Sequence, residues 1–156
     1  MDYDIELRTV QTWLKSTAGL NSCKRGVGLK LARPVVLFDS PGRSRERHLT
    51  RHSYVQTVQW YGKLYVDSLD EGLRYQNILV TDLEDKCGLL EVVDDKGEHL
   101  AYLKQATLSF RDTEGLDIPF TLSYEVAYKR KGWDKVDDAV AEIYTEMTVY
   151  NQKGRA

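Results

Sequence analysis

The chain has 156 residues, enough for one domain with a sizeable core, and its 42% hydrophobic and 29% charged residues are ordinary for a folded protein. A formal net charge of −2 argues against binding to nucleic acid through overall charge. No apolar run approaches the roughly 18 residues that a membrane span requires. The acidic start, MDYDIELRTV, differs from a secretory signal, so we expect synthesis in the cytoplasm and no membrane partner.

The first predicted elements are a helix and a short strand. Over residues 4–18, Leu7, Val10 and Leu14 recur at three- and four-residue spacing, which is typical of an amphipathic helix. The run RPVVLF at residues 33–38 is apolar and bounded by polar residues. It therefore predicts a buried strand.

Loops are predicted on both sides of this strand, over residues 20–32 and 39–53. The second lacks periodicity and is dense in turn formers and arginine, so we expect a long mobile loop. Arginine binds phosphate or carboxylate through two parallel hydrogen bonds, which favours an arm that contacts an anion or a partner protein. A solvated loop without a partner explains the same composition. The side chains of the expected contact are Arg43, Arg45, Arg47, His48, Arg51 and His52.

A long strand and a second helix follow. Residues 54–66 alternate with a period of two, and a strand of about a dozen residues exceeds the usual five or six. We expect such a strand to extend beyond the core and pair with another chain. Ser68 and Glu71 form a capping box at the start of the helix, and Gly88 is expected to end it at the C′ position. The face predicted to be buried consists of Leu69, Leu73, Gln76, Val80, Leu83 and Cys87.

The rest of the chain is predicted to form antiparallel strands. LLEVVD and EHLAYL flank a turn at residues 95–97, and the strand that continues to Arg111 is expected to carry Tyr102 and Ala106 on one face. In IPFTLSYEVAYKR, apolar residues from Ile118 onwards alternate with polar ones. The fold expected is α+β, a mostly antiparallel sheet of about four to five strands with two helices packed on one face.

The domain organisation is predicted from the same pattern. Residues 1–130 are expected to form a single domain, and residues 131–156 a linker followed by a strand-like C-terminal extension. The ending EIYTEMTVY alternates weakly. Such a strand would add to an edge of its own sheet or to that of a neighbouring chain.

No arrangement of residues typical of catalysis or metal binding is evident. Asp94 and Asp95 are explained by a turn, and Cys23 and Cys87 by two reduced thiols. We therefore expect no enzymatic activity and no cofactor. Ten tyrosines and three tryptophans favour either strands or surfaces that are buried on association. The candidate residues of an oligomer interface are Tyr61, Tyr65, Thr121, Ser123, Tyr144, Met147 and Val149.

The order of helix, buried strand, arginine-rich segment, long strand, helix and antiparallel strands resembles that of tail-terminator and tail-completion proteins of long-tailed bacteriophages. The stretches that carry the resemblance are RPVVLF, YVQTVQWYGKLYVDSLDEGL and LDIPFTLSYEVAYKR. It implies two helices on one face of a mixed or antiparallel sheet, and a hexameric ring that caps the tail tube and receives the head. The arginine-rich segment and the extension past residue 130 depart from the smallest members of that family.

The resemblance also implies partners and a location. The expected partners are further copies of the chain, the tail-tube protein, the head-connector protein and DNA held in the channel. The expected location is the head-proximal end of the virion tail, after assembly in the host cytoplasm. Two other functions stay open: a phage head-completion or connector adaptor, and a small nucleic-acid-binding module that uses residues 43–52.

Overall fold

A computed structural model describes residues 3–24, 32–48 and 50–129, which form two helices and a seven-stranded sheet. The elements in chain order are α1 (Tyr3–Ala18), β1 (Asn21–Lys24), β2 (Val35–Phe38), β3 (Gly42–His48), β4 (Ser53–Tyr65), α2 (Leu69–Asp85), β5 (Leu90–Val93), β6 (His99–Phe110) and β7 (Asp117–Lys129). The strand order is β1-β2-β4-β7-β6-β5, with β3 also paired to β4. The α+β class and the two helices agree with the prediction. The sheet has more strands than predicted, and it is mixed because β1 and β2 run parallel.

Strand β3 corrects the prediction of a loop over residues 39–53. Residues 42–48 pair antiparallel with β4, with a bulge between Arg45 and Arg47. The stretch GRSRERH contains no large apolar residue, and pairing with β4 through backbone N–H and C=O groups requires none. Periodicity therefore could not reveal it. The predicted loop over residues 20–32 also missed strand β1, which has only four residues and is too short to show a clear alternation.

Strand β4 does not extend beyond the sheet, which corrects the expectation that its length requires another chain. All 13 of its residues are in register with β7, from the Ser53–Lys129 pair to the Tyr65–Asp117 pair. On its other side β3 pairs with the first half of β4, and β2 with the last part. Its unusual length is thus accounted for within the chain.

The core lies between the helices and the inner face of the sheet. Trp60, Leu64 and Tyr124 are among its fully buried side chains. Helix α1 contacts both β1 and β5, which are the two ends of the strand order, so the sheet curls around this helix. The inward alternation predicted for β7, from Ile118 to Val126, is confirmed.

The ends of α2 agree closely with the prediction. The Ser68 hydroxyl accepts a hydrogen bond from the Glu71 backbone N–H at 3.2 Å. At the other end, the Gly88 N–H donates to the Leu83 carbonyl at 2.8 Å and the Cys87 N–H to the Glu84 carbonyl at 3.0 Å. This pair of bonds is a Schellman motif. Cys87 occupies the C′ position with a φ of 54°, so the prediction of Gly88 at C′ is wrong by one residue.

The buried face of α2 differs from the one predicted. Its buried residues are Gly72, Leu79 and Leu83, whereas Leu69, Leu73, Val80 and Cys87 are exposed. Gly72 explains the rotation, because a Cβ there would lie 2.8 Å from Ile118 Cδ1. The helix approaches the sheet along its glycine. Leu69, Leu73 and Val80 of the predicted face are therefore exposed, whereas Leu83 is buried as predicted.

A bulge in β6 changes which of its side chains face the core, compared with the prediction. One extra residue lies between Lys104 and Thr107, and Gln105 has a φ of 51°. The bulge places Leu103 on the same side as Ala106, so both are buried and Tyr102 is exposed. The prediction that Tyr102 and Ala106 share a face is therefore wrong.

The predicted linker and strand over residues 131–156 lie outside the described residues.

Candidate protein-interaction surface

A buried carboxylate organises one end of the inner sheet face. Glu6 of α1 is fully buried, and both of its oxygens receive hydrogen bonds. Arg43 donates to Oε1 at 3.3 Å and to Oε2 at 2.9 Å. The Tyr124 hydroxyl donates to Oε2 at 2.9 Å, and the Tyr128 hydroxyl donates to Oε1. The carboxylate therefore has both a counter-ion and a complete set of donors, as a buried charge requires.

The tyrosine at the centre of this cluster stays protonated. Burial raises the pKa of Tyr124, and the negative charge of Glu6 raises it further. The Tyr124 hydroxyl in turn accepts a hydrogen bond from Trp60 Nε1 at 2.9 Å. The cluster thus joins α1, β3, β4 and β7 through one continuous set of hydrogen bonds.

The cluster gives Arg43 a role inside the molecule. It was expected to contact an anion, and the anion that it contacts is the chain's own Glu6, through a two-point salt bridge. Arg45, Arg47 and His48 follow it along β3, while the exposed Arg51 and the half-buried His52 lie at the turn before β4. The predicted contact residues therefore occupy an edge strand and its turn rather than a single loop.

The residues predicted for an oligomer interface on β4 and β7 are brought together on the outer sheet face. Tyr61 pairs with Thr121 across the two strands, and Ser123 lies two residues further along β7. Tyr61 is 40% exposed. Tyr65 is the last residue of β4, and its ring is covered by the Arg33 guanidinium, whose Cζ is 5.2 Å from the ring centroid. The other candidates, Tyr144, Met147 and Val149, are outside the described residues.

A second exposed surface was missed by sequence reasoning. Four large side chains at the β5–β6 end of the sheet are between 39% and 49% exposed: Leu89, Val93, Leu100 and Tyr102, here called the hairpin patch. The available signal was the number of large apolar residues in LLEVVD and EHLAYL, which exceeds what one buried face of a two-stranded hairpin accommodates. Tyr102 was instead assigned to the buried face, because the bulge at Gln105 leaves no trace in an apolar alternation.

A groove of about 640 Å³ lies beside this patch, between α1 and β5. Three residues of the hairpin patch line it, together with the flank of α1 that includes Thr9, Thr12 and Trp13. Arg8 of α1 forms an ion pair with Asp95 of the β5–β6 turn at one side of the groove. Strand β5 is the last strand in the sheet order and, within the described ranges, pairs only with β6. The groove therefore follows a sheet edge that has no strand partner among the described residues.

The wall of the groove formed by α1 is held in place by α2. Trp13 Nε1 donates to Asp82 Oδ2 at 2.7 Å, and Lys86 Nζ lies 2.9 Å from the same oxygen. Burial by itself would raise the pKa of Asp82. The hydrogen bonds from Trp13, Lys86 and Thr17 and the positive charge of Lys86 outweigh it and hold that pKa below its ordinary value. Asp82 is thus ionised at neutral pH and fixes the Trp13 ring.

In the part of the chain that the structure describes, no three His, Cys, Asp or Glu side chains are grouped so that they would hold a metal ion. No helix in that part is both long and apolar enough to cross a bilayer. No protein-family model matches the chain, and no curated protein matches its sequence.

Proposed function

We propose that this chain is a structural assembly protein that acts by binding other protein chains, and specifically a ring-forming tail terminator of a long-tailed bacteriophage. It would cap the tail tube and join it to the head. Its partners would be further copies of itself, the tail-tube protein and the head connector.

The observation that carries the proposal is the hairpin patch beside the groove. Large apolar side chains that cluster at a free sheet edge are stabilised when another chain covers them, at about 25 cal/mol per Å² of apolar area removed from water. Contiguous patches of this kind mark protein-interaction sites more often than isolated exposed leucines do. A free strand edge adds backbone groups that another chain can pair with.

The positions of the two exposed surfaces favour a ring over a two-fold dimer. The hairpin patch is at the β5 end of the sheet, whereas Tyr61, Thr121 and Ser123 lie on the outer face of β4 and β7. Closed rings are built from contacts between two different surfaces of the same chain. The order of elements in the sequence, which resembles that of tail terminators, is the reason for proposing this particular kind of ring.

The alternative of a nucleic-acid-binding module loses part of its basis. It relied on the arginines of residues 43–52 acting together as an arm, and Arg43 is instead paired with the buried Glu6. The alternative of a head-completion or connector adaptor relies on the same exposed surfaces as the proposal. The adaptor and the tail terminator differ only in the partner protein that these surfaces would bind.

Disruption of the gene in the phage that encodes the chain tests the proposal. We expect DNA-filled heads and separate tails that do not join, because the tube end lacks its cap. Purified protein added to the separated parts should bind one end of the free tails, visible by negative-stain microscopy, and restore joining. Joined, infectious particles in the absence of the protein would contradict the proposal, and binding to heads alone would favour the adaptor.

A further inference from the structure

We infer that the groove between α1 and β5 receives residues 142–150 of a second copy of the chain, which lie as an extended strand along the free side of β5. The inference rests on the proposed function and deepens it, because it names the contact that would join neighbouring copies in the ring.

The acceptor is the edge of β5 that is unpaired in the described part of the chain. An unpaired edge strand offers a row of N–H and C=O groups to an added strand, while pockets beside it select the side chains. Here the pocket is the groove, whose walls include the apolar groups of Trp13, Leu90 and Val93. Strand β5 has four residues, so it would pair with the central part of the added segment.

The donor is the sequence EIYTEMTVY at residues 142–150. Successive side chains of an extended strand point to opposite faces, so Ile143, Met147 and Val149 share one side of it. That side matches the apolar wall of the groove. Glu142 and Glu146 fall on the other side, which would face away from the groove.

The length of chain after β7 allows this segment to reach a neighbour. Strand β7 ends at Lys129, and the twelve residues 130–141 separate it from the donor. Twelve extended residues span up to about 40 Å. Tyr128 hydrogen-bonds to Glu6, so the segment leaves the domain beside the start of α1, at the end of the sheet where Lys129 pairs with Ser53.

Donor and acceptor are different parts of the chain, so each copy offers one of each. A contact of this kind is head-to-tail, and it leaves no unsatisfied edge when the copies close into a ring. Strand donation would also explain why exposed apolar residues border β5.

Engineered disulfides test the inference on the full chain. In a Cys87→Ser background, which removes the exposed cysteine, Val93→Cys places one thiol in the groove and Met147→Cys places one in the donor. Under mild oxidation we expect disulfide-linked multimers on a non-reducing gel. The matched control combines Met147→Cys with Asn77→Cys, an exposed position on α2 that does not line the groove, and should stay monomeric on the same gel.

The outcomes separate this inference from the proposed function. Multimers from the groove pair but not from the control support strand donation between copies. A disulfide within one chain, seen as a faster-migrating monomer, would overturn the second copy as occupant, and the absence of any cross-link would overturn the groove as the site. Either of these results leaves the proposed function standing if the protein still binds tail ends, whereas failure to bind them removes that function regardless of the gel. Circular dichroism of each variant establishes that it is folded.

Discussion

Glu6 is a carboxylate that is fully buried in the core. Its position was readable in part: Glu6, Val10 and Trp13 are spaced four and three apart, so they lie on one face of α1. The sequence could not identify Arg43 as the partner of Glu6. Arg43 is 37 residues away and lies on a strand that no apolar alternation reveals.

Replacement of Arg43 measures what the buried salt bridge contributes. Arg43→Ala leaves an uncompensated carboxylate in the core, and we expect the free energy of unfolding to fall by about 3 kcal/mol in urea denaturation. The guanidinium is partly exposed, with 27% of the side chain accessible, so the loss should be near the lower end for buried pairs.

Arg51 is the matched control for this prediction. It belongs to the same arginine-rich segment but is exposed at the turn before β4. Arg51→Ala should change the free energy of unfolding by less than about 0.5 kcal/mol. Adding Glu6→Gln to Arg43→Ala should recover part of the loss, because the buried charge is then gone. Equal effects of the two arginine substitutions would mean that the cluster has no structural role.

Among the elements, those with strong local signals were predicted well. Helix α2 has a capping box and a clear end, and the hydrophobic alternation of β7 follows from its position in the centre of the sheet. The errors came from features that depend on tertiary contacts. The buried face of α2 is set by the approach of Gly72 to Ile118, and the faces of β6 are set by the bulge at Gln105.

The close approach of β2, β4 and β7 depends on one glycine. A Cβ added at Gly62 would lie 2.3 Å from the Leu37 carbonyl oxygen and 2.7 Å from Phe120 Cζ. Backbone as well as side chain would have to move, so we expect Gly62→Ala to lower the free energy of unfolding by about 1–3 kcal/mol. Thermal or urea unfolding measures it.

Gly42 on the neighbouring strand β3 provides the comparison. The nearest atom to a Cβ there is Tyr61 Cε2, at 3.9 Å, which is an ordinary contact. Gly42→Ala should therefore leave stability unchanged or slightly raised, because alanine restricts the unfolded chain. If Gly62→Ala were no more destabilising than Gly42→Ala, the packing described for β2 against β4 would be wrong.

At the scale of the whole molecule, the curled sheet pairs both edges of its longest strand internally, and within the described residues it leaves one end without a strand partner. The prediction that β4 pairs edge to edge with another chain was wrong, because β2, β3 and β7 occupy both of its edges. The free end is at β5, where the hairpin patch and the groove meet. The sequence predicted an interaction protein from its aromatic residues but placed the surface mainly on β4, β7 and the C-terminal segment. The patch at β5 depends on how the sheet curls around α1, which no local pattern encodes.

The most direct test of this account is the molar mass of the pure protein by light scattering over a range of concentrations. We predict that the mass rises from that of the 18.0 kDa monomer to a closed multimer, a hexamer in the case of the proposed ring, and then stays constant. Leu100→Asp in the hairpin patch should keep the protein monomeric, whereas Leu73→Asp at an equally exposed site on α2 should not. A monomeric mass for the unmodified protein at every concentration would contradict the claim that its free surfaces bind further copies.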